Sequence, residues 1–259
     1  MKKLLKKSIQ KAFTPIANKL GFEKRQKKRT SEKSTAKDDL LLNFFSILKS
    51  VGFNPKHIVD VGANKGTWTR IVLKIFPDAH YTLIEPQGWL KKDLQYILDN
   101  NSNIKFYPVG AGNKNGKLKL TTDERDDSFS FRFTEEEAKQ LNKEQIEVEV
   151  VTLSDLIKKE NLLVPDLIKI DAEGLDLEVL EGSKEFYGKT EVILVEAGVM
   201  NKVFSNNVLA VISYMDKNGY RLFDITDLNR TQKHNALWLV ELGFVLKGGL
   251  VDKAISSYN

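Results

Sequence analysis

The chain of 259 residues contains no cysteine and only three histidines. Without thiols it has no disulfide, no thiolate metal site and no cysteine nucleophile. This suits a reducing compartment, and the expected location is cytoplasmic. No apolar run approaches the roughly 20 residues needed to span a bilayer. The N-terminus is basic, but it lacks the continuous apolar stretch and small-residue cleavage site of a secretory signal. Hydrophobic content of 41% and charged content of 29% are ordinary for a globular protein, and the length is ample for one large domain.

The net charge of +5 conceals an asymmetry. The first thirty residues hold eleven Lys or Arg and a single acid, Glu23, so the remainder is acidic overall. A basic head on an acidic body does not describe a general nucleic-acid surface. Leu4, Leu5, Ile9, Ala12, Phe13, Ile16 and Leu20 recur at helical spacing with lysines between them. Residues 1–20 therefore read as a basic amphipathic helix, the composition of a peripheral anchor on the inner membrane face. The alternative is a helix packed on the domain or on a partner. Residues 23–38 read as a polar linker, giving a division into residues 1–38 and a domain over 39–259.

Neither common phosphate-binding loop is present. There is no G-x-G-x-x-G and no G-K-[ST]. What is present is Ile58-Val59-Asp60-Val61-Gly62-Ala63-Asn64-Lys65-Gly66, a β-branched run leading into a turn with glycines four apart. A second strand-like run, Tyr81-Thr82-Leu83-Ile84, ends in Glu85. Strand, glycine turn, helix and an acid closing the next strand describe a nucleoside-binding βαβ unit. Asp60 would repel a pyrophosphate but suits a cationic ligand such as S-adenosylmethionine. The residues thus favour a methyl donor over NAD, with a ligand-free structural turn as the bland alternative.

The spacing predicts a lead-in helix from Leu40 and strands near 57–62, 80–85 and 104–109, with helices near 67–76 and 88–99 between them. Period-two alternation in 116–121 and 146–150 predicts a paired antiparallel insertion, and the polar stretch between them carries a helical segment from Glu135. The α/β rhythm resumes with a helix from Leu153, a strand at 165–171, a helix at 175–180 and a strand at 192–196. A helix from Val208 is followed by strands at 220–225 and 236–242 that could pair at an edge. The expected fold is α/β, a mostly parallel doubly wound sheet with an antiparallel edge hairpin and a β-hairpin insertion.

In order along the chain stand Asp60–Gly66, Ile84-Glu85-Pro86, Val151-Thr152-Leu153-Ser154-Asp155-Leu156, Ile168-Lys169-Ile170-Asp171-Ala172-Glu173-Gly174 and Val195-Glu196. Together they resemble the FkbM family of S-adenosylmethionine-dependent methyltransferases, over about residues 56–245. The family's T-L-D is here Thr152-Leu153-Ser154, with Asp155 one place later. The resemblance implies a Rossmann-like class I methyltransferase fold and O-methylation, often of sugars or natural products. Carried over by position, Asp60, Gly62, Asn64 and Gly66 line the methionine part of the donor, Glu85 holds the ribose, and Val109, Gly110 and Ala111 lie near the adenine. Asp171 and Glu173 sit at the methyl-transfer end.

Among other candidates, Glu196 serves either the site or a turn cap. His234 is the candidate base, beside Asn235 at the start of a late strand. His57 and His80 lie at the wrong end of the sheet. Asp171, Glu173 and Glu196 offer oxygen ligands suited to Mg²⁺, but no motif specifies a metal. Trp68, Trp89 and Trp238 are expected in core packing rather than against a ligand. The expected partner is a sugar, glycan or glycolipid precursor. Alternatives are a small natural product, or a catalytically silent donor-binding module. The acceptor pocket is expected from residues 122–144, 197–206 and 226–235.

Overall fold

The computed structural model describes residues 36–124, 129–200 and 205–255, within a compact unit that begins at Thr35. The basic N-terminal helix expected over residues 1–20 lies outside the described residues. A lead-in helix, α1 (Ala36–Ser50), starts inside the stretch read as linker.

Seven strands form the main sheet: β1 (His57–Val61), β2 (His80–Ile84), β3 (Ile104–Tyr107), β7 (Leu167–Ile170), β8 (Val192–Gly198), β9 (Tyr220–Arg230) and β10 (Leu237–Leu246). Their order is β3-β2-β1-β7-β8-β10-β9. The first five are mutually parallel. β10 runs antiparallel to both β8 and β9, which gives the expected edge hairpin. From β1 the chain winds outward through β2 and β3, then returns to place β7 on the other side of β1. The order reverses between β1 and β7, and ligands of open α/β sheets bind at such a switch point.

The strands are near-continuous apolar runs because both faces are covered. All five residues of β1 and all four of β7 are buried. Alternate residues feed two cores. Val59, Val61, Ile168, Ile170, Ile193 and Val195 belong to one. Ile58, Leu83, Leu167, Val192 and Leu194 belong to the other, with Phe44, Phe45 and Leu48 of α1. The crossover helices are α2 (Thr67–Leu73) and α3 (Lys91–Asn100), the latter after a 3₁₀ turn at Gly88–Leu90. Beyond the insertion come α5 (Leu153–Lys159), α6 (Asp176–Glu181), α7 (Val208–Lys217) and α8 (Leu250–Ala254).

The third strand is shorter than expected, and Pro108 is the reason. Proline has no N–H to give to a ladder. β3 stops at Tyr107, and a two-residue strand, β4 (Gly110–Ala111), joins a different sheet. That second sheet is the insertion, in the order β4-β6-β5. Its β5 (Gly116–Thr121) and β6 (Gln145–Val151) pair antiparallel from Gly116↔Val150 to Thr121↔Gln145, as the alternation requires. Between them α4 (Glu135–Gln140) is fixed by a capping box, with Thr134 and Glu137 exchanging hydrogen bonds. Among the described residues no helix is long and apolar enough to cross a membrane.

Candidate active site

The turn after β1 is built around one close approach. Gly62 has φ +72, and a Cβ there would lie 1.8 Å from the carbonyl oxygen of Asp171. Only glycine fits both the backbone conformation and the contact. The two strand ends are also tied directly: Asp171 N donates to Val61 O at 3.1 Å, and Gly62 N and Ala63 N donate to Ile84 O at 2.9 and 3.1 Å. Asn64 turns the chain with φ 44. Its N–H donates to Glu85 Oε2 at 2.9 Å, while Gln87 N donates to Glu85 Oε1 at 2.9 Å. Glu85 is 3% exposed and aimed by backbone alone.

Above these strand ends opens a cavity of about 1120 Å³. It brings together Gly62, Asn64, Glu85, Gly110, Ala111, Asp171, Glu173 and Glu196 from the sequence-derived set. The insertion contributes Phe129, Phe131, Arg132 and Phe133, and the β9–β10 hairpin contributes residues 226–232 in part. The segments expected to form the acceptor pocket therefore do border it, with Asn206 representing the loop after β8. Trp68 and Trp238 also line it, so these two are not confined to the core. Trp89 is exposed and stacks obliquely on Phe129, centroids 6.1 Å apart.

Three expected site residues are placed elsewhere. Asp60 has no exposure and does not line the cavity. Strand alternation turns it onto the face packed by α2, where Thr69 donates to its Oδ2 at 2.5 Å and Lys169 Nζ lies 3.4 Å from Oδ1. Gly66 is likewise behind the wall. It starts α2 with φ 74, and a Cβ would meet Leu94 Cδ2 at 2.5 Å, so its role here is packing. His234 is exposed, outside the cavity lining, in the turn that Thr231 and Ala236 close between β9 and β10. The structure supplies no base there. His57 is buried at the opposite end of the sheet, between Leu163 O and Thr82 Oγ1, and burial lowers its pKa.

The sequence reading missed Lys169, a lysine in the middle of a fully buried four-residue strand. Its Cα partner is Asp60. Nζ lies 3.2 Å from Asp171 Oδ2 and donates to the carbonyls of Gly62 and Val61 at 3.2 and 3.4 Å. Burial works against its charge, but Asp171, Asp60 and Glu241 outweigh that, so its pKa is raised. It pins the ends of β1 and β7 together. A charged residue inside an otherwise apolar strand was the available signal. Glu241, directly opposite Glu196 in the ladder, was also missed. It accepts from Thr226 Oγ1 at 2.6 Å.

The cavity floor thus sets Glu85, Asp171, Glu173, Glu196 and Glu241 against Lys169. Burial, with Asp171, Asp176 and Glu85 nearby, pushes Glu173 up to about 9. Burial raises Glu196 well above the usual range, with Asp171, Asp176 and Glu173 adding to it. Glu241 rises to about 7, chiefly by burial. Burial also raises Glu85. Carboxyls held out of water with one lysine among them are stabilised by an arriving cation. Glu173 itself sits at φ 52 and is followed by Gly174 at φ 104. Its carbonyl accepts from Phe131 N at 3.2 Å and Ser130 Oγ at 3.1 Å, so the insertion straps the segment in place. Among the described residues no group of three or more His, Asp or Glu side chains is arranged to hold a metal ion.

A family model described as the methyltransferase FkbM domain matches residues 60–222. The chain belongs to the FkbM methyltransferase family. Methyltransferase 1 of Beauveria bassiana (strain ARSEF 2860) is 25% identical over 142 residues, which cover 48% of this chain and 57% of that protein. The matched stretch is thus little more than half of the fungal protein. Among solved structures, a putative O-methyltransferase from Klebsiella pneumoniae aligns with a TM-score of 0.47 at 12% identity, over 92% of this chain and 99% of that one. The precorrin-6y C5,15-methyltransferase from Geobacter metallireducens GS-15 aligns at 0.46 and 12%, over 85% and 93%. The strand order and the family match carry the fold assignment. This FkbM domain has the Rossmann-like class I methyltransferase fold, with an antiparallel edge hairpin and the β4-β6-β5 insertion.

Proposed function

We propose that this FkbM domain is an S-adenosylmethionine-dependent O-methyltransferase acting on a hydroxyl of a sugar, glycan or glycolipid precursor. The observation that carries the donor part is the Gly62–Asp171 approach at the switch point, with Glu85 buried and aimed beside it. The residues fit such a donor. The Gly62 turn lets the ends of β1 and β7 close together under the cavity, the carboxyl-rich floor suits a sulfonium and an ammonium, and Glu85 suits a ribose diol.

Bound there, the donor supplies a methyl carbon whose bond to sulfur breaks as a bond to the acceptor oxygen forms. The protein contributes position and a proton acceptor. Glu85 orients by accepting from hydroxyls. Asp171, held by Lys169, faces the donor's charged end. Glu173 and Glu196 are the carboxylates placed to take the proton of a sugar hydroxyl. Burial raises both in the free protein, and a cation bound beside them favours their ionised, basic forms. Aromatic side chains of the insertion and Trp238 offer faces on which a sugar ring can lie.

The test is transfer of labelled methyl from S-adenosylmethionine to a panel of methyl glycosides and phenolic natural products. The expected outcome is incorporation into a glycoside, lost in Glu173→Gln. Incorporation into phenols alone would favour the small-natural-product reading. Donor binding without any turnover would favour a silent donor-binding module.

The basic, amphipathic residues 1–20 support a reading in which the enzyme works at an anionic membrane surface on a glycolipid precursor. Full-length protein should sediment with phosphatidylglycerol-containing vesicles, and protein lacking residues 1–38 should not. Equal behaviour of the two would dispose of the membrane part.

A further inference from the structure

Asn206 borders the cavity and is 4% exposed. Its backbone is anchored at the end of β8, where Gly198 N donates to its carbonyl at 3.1 Å and the adjacent Asn207 bridges Gly198. Its Nδ2 donates to Asp176 Oδ2 at 2.5 Å. Asp176 has no exposure, and its Oδ1 accepts from Ala172 N at 2.9 Å. With Asp176 Oδ1 taken by Ala172 N, its other oxygen orients the amide: the NH₂ turns toward Asp176 and the carbonyl oxygen turns away. That Oδ1 is buried and has no hydrogen-bond partner among the described residues. A buried acceptor without a donor is unfavourable in the fold alone, and the polar group that would satisfy it is a ligand's.

Position decides which ligand. Glu85 and the Gly62 turn stand at the ends of β2 and β1. β7 and then β8 follow, each about 5 Å further across the sheet. A donor with its ribose on Glu85 and its amino-acid end at Gly62 and Asp171 occupies the β2-β1-β7 side. Asn206 is reached from the β8 side, where Glu196 stands.

We propose that Asn206 Oδ1 receives the hydrogen bond of an acceptor hydroxyl next to the one methylated, making it an acceptor-specificity residue, and that Asp176 is the positioning residue that keeps the amide in this orientation. The inference rests on the methyltransferase reading above and adds the residue that selects an O–H-bearing acceptor. The reacting hydroxyl's own proton is left to Glu173 or Glu196, and its lone pair to the methyl carbon. Deoxy analogues would leave Oδ1 unpaired, the usual basis of strong discrimination against a missing hydroxyl.

The experiment is a crystal structure with the demethylated product, S-adenosylhomocysteine, joined to kinetics of Asn206→Ala and Asp176→Asn. The expected structure shows Asn206 Oδ1 facing the cavity with a water, and no atom of the product, within hydrogen-bond distance. A product atom on Oδ1, or an amide turned to bond the protein instead, overturns the proposal. With any glycoside that the wild type methylates, both variants should lose at least about tenfold in kcat/KM. Their S-adenosylmethionine affinity should stay within about twofold, a split that a merely structural defect would not give. Unchanged kcat/KM in Asn206→Ala, or equal loss of donor affinity, overturns it. Absence of the product from the cavity, together with no donor binding in solution, is a different failure, since it removes the methyltransferase reading itself.

Discussion

At the residue scale Gly62 holds the two central strand ends together. Alanine there would place its Cβ 1.8 Å from the Asp171 carbonyl while holding φ near +72. Left-handed strain and overpacking each cost roughly 1–3 kcal/mol. Gly62→Ala should therefore be destabilised by about 2–6 kcal/mol in urea unfolding and should lose donor binding; near-native stability would contradict the geometry. This position was legible because a glycine after a β-branched run has few other uses. Glu85 was legible for the same reason of place, at the end of the next strand. Asp60 was misread, because which face a strand residue takes depends on the pleat. Its register with Lys169 is a tertiary fact. His234 was misplaced because β9 runs on to Arg230, past its expected end, so that His234 falls in the exposed tip of the hairpin turn rather than beside the cavity.

At the scale of elements, the order of strands and helices followed from period alone. The hairpin of β9 and β10 and the antiparallel β5–β6 pair were both expected from short connections or alternation. The split of the third strand at Pro108 was available in the sequence, since Pro108 can give no hydrogen bond to a ladder. The strap from residues 130–131 to the Glu173 carbonyl was not available. In the Ser130 contact it joins a side-chain hydroxyl to a carbonyl 43 residues away, and neither side chain pattern nor composition marks it. The segment between β5 and β6 is where sequence periodicity carries least, and there the structure adds most to the site: three phenylalanines and Arg132 on one wall.

For the molecule as a whole, the raised carboxyls link stability to pH. Glu173 at about 9, and Asp176 and Glu241 at about 7, stay protonated in the native state above the pH where they ionise in the unfolded chain. Between about pH 4 and those values the unfolded state binds fewer protons, so unfolding free energy falls as pH rises. The domain should unfold at lower urea at pH 9 than at pH 6, and Glu241→Gln should flatten the trend. A rise in stability across that window would contradict it. A cation in the cavity reverses the preference, so S-adenosylmethionine affinity should increase over the same range.

The most direct measurement of the central claim is calorimetric titration of S-adenosylmethionine into the wild type and Glu85→Ala, with both shown to be folded by circular dichroism. Micromolar binding to the wild type is expected, weakened at least tenfold in the variant, about 1.4 kcal/mol. Wild-type protein that binds no donor, or a folded variant that binds it equally well, would contradict the placement of the donor on Glu85.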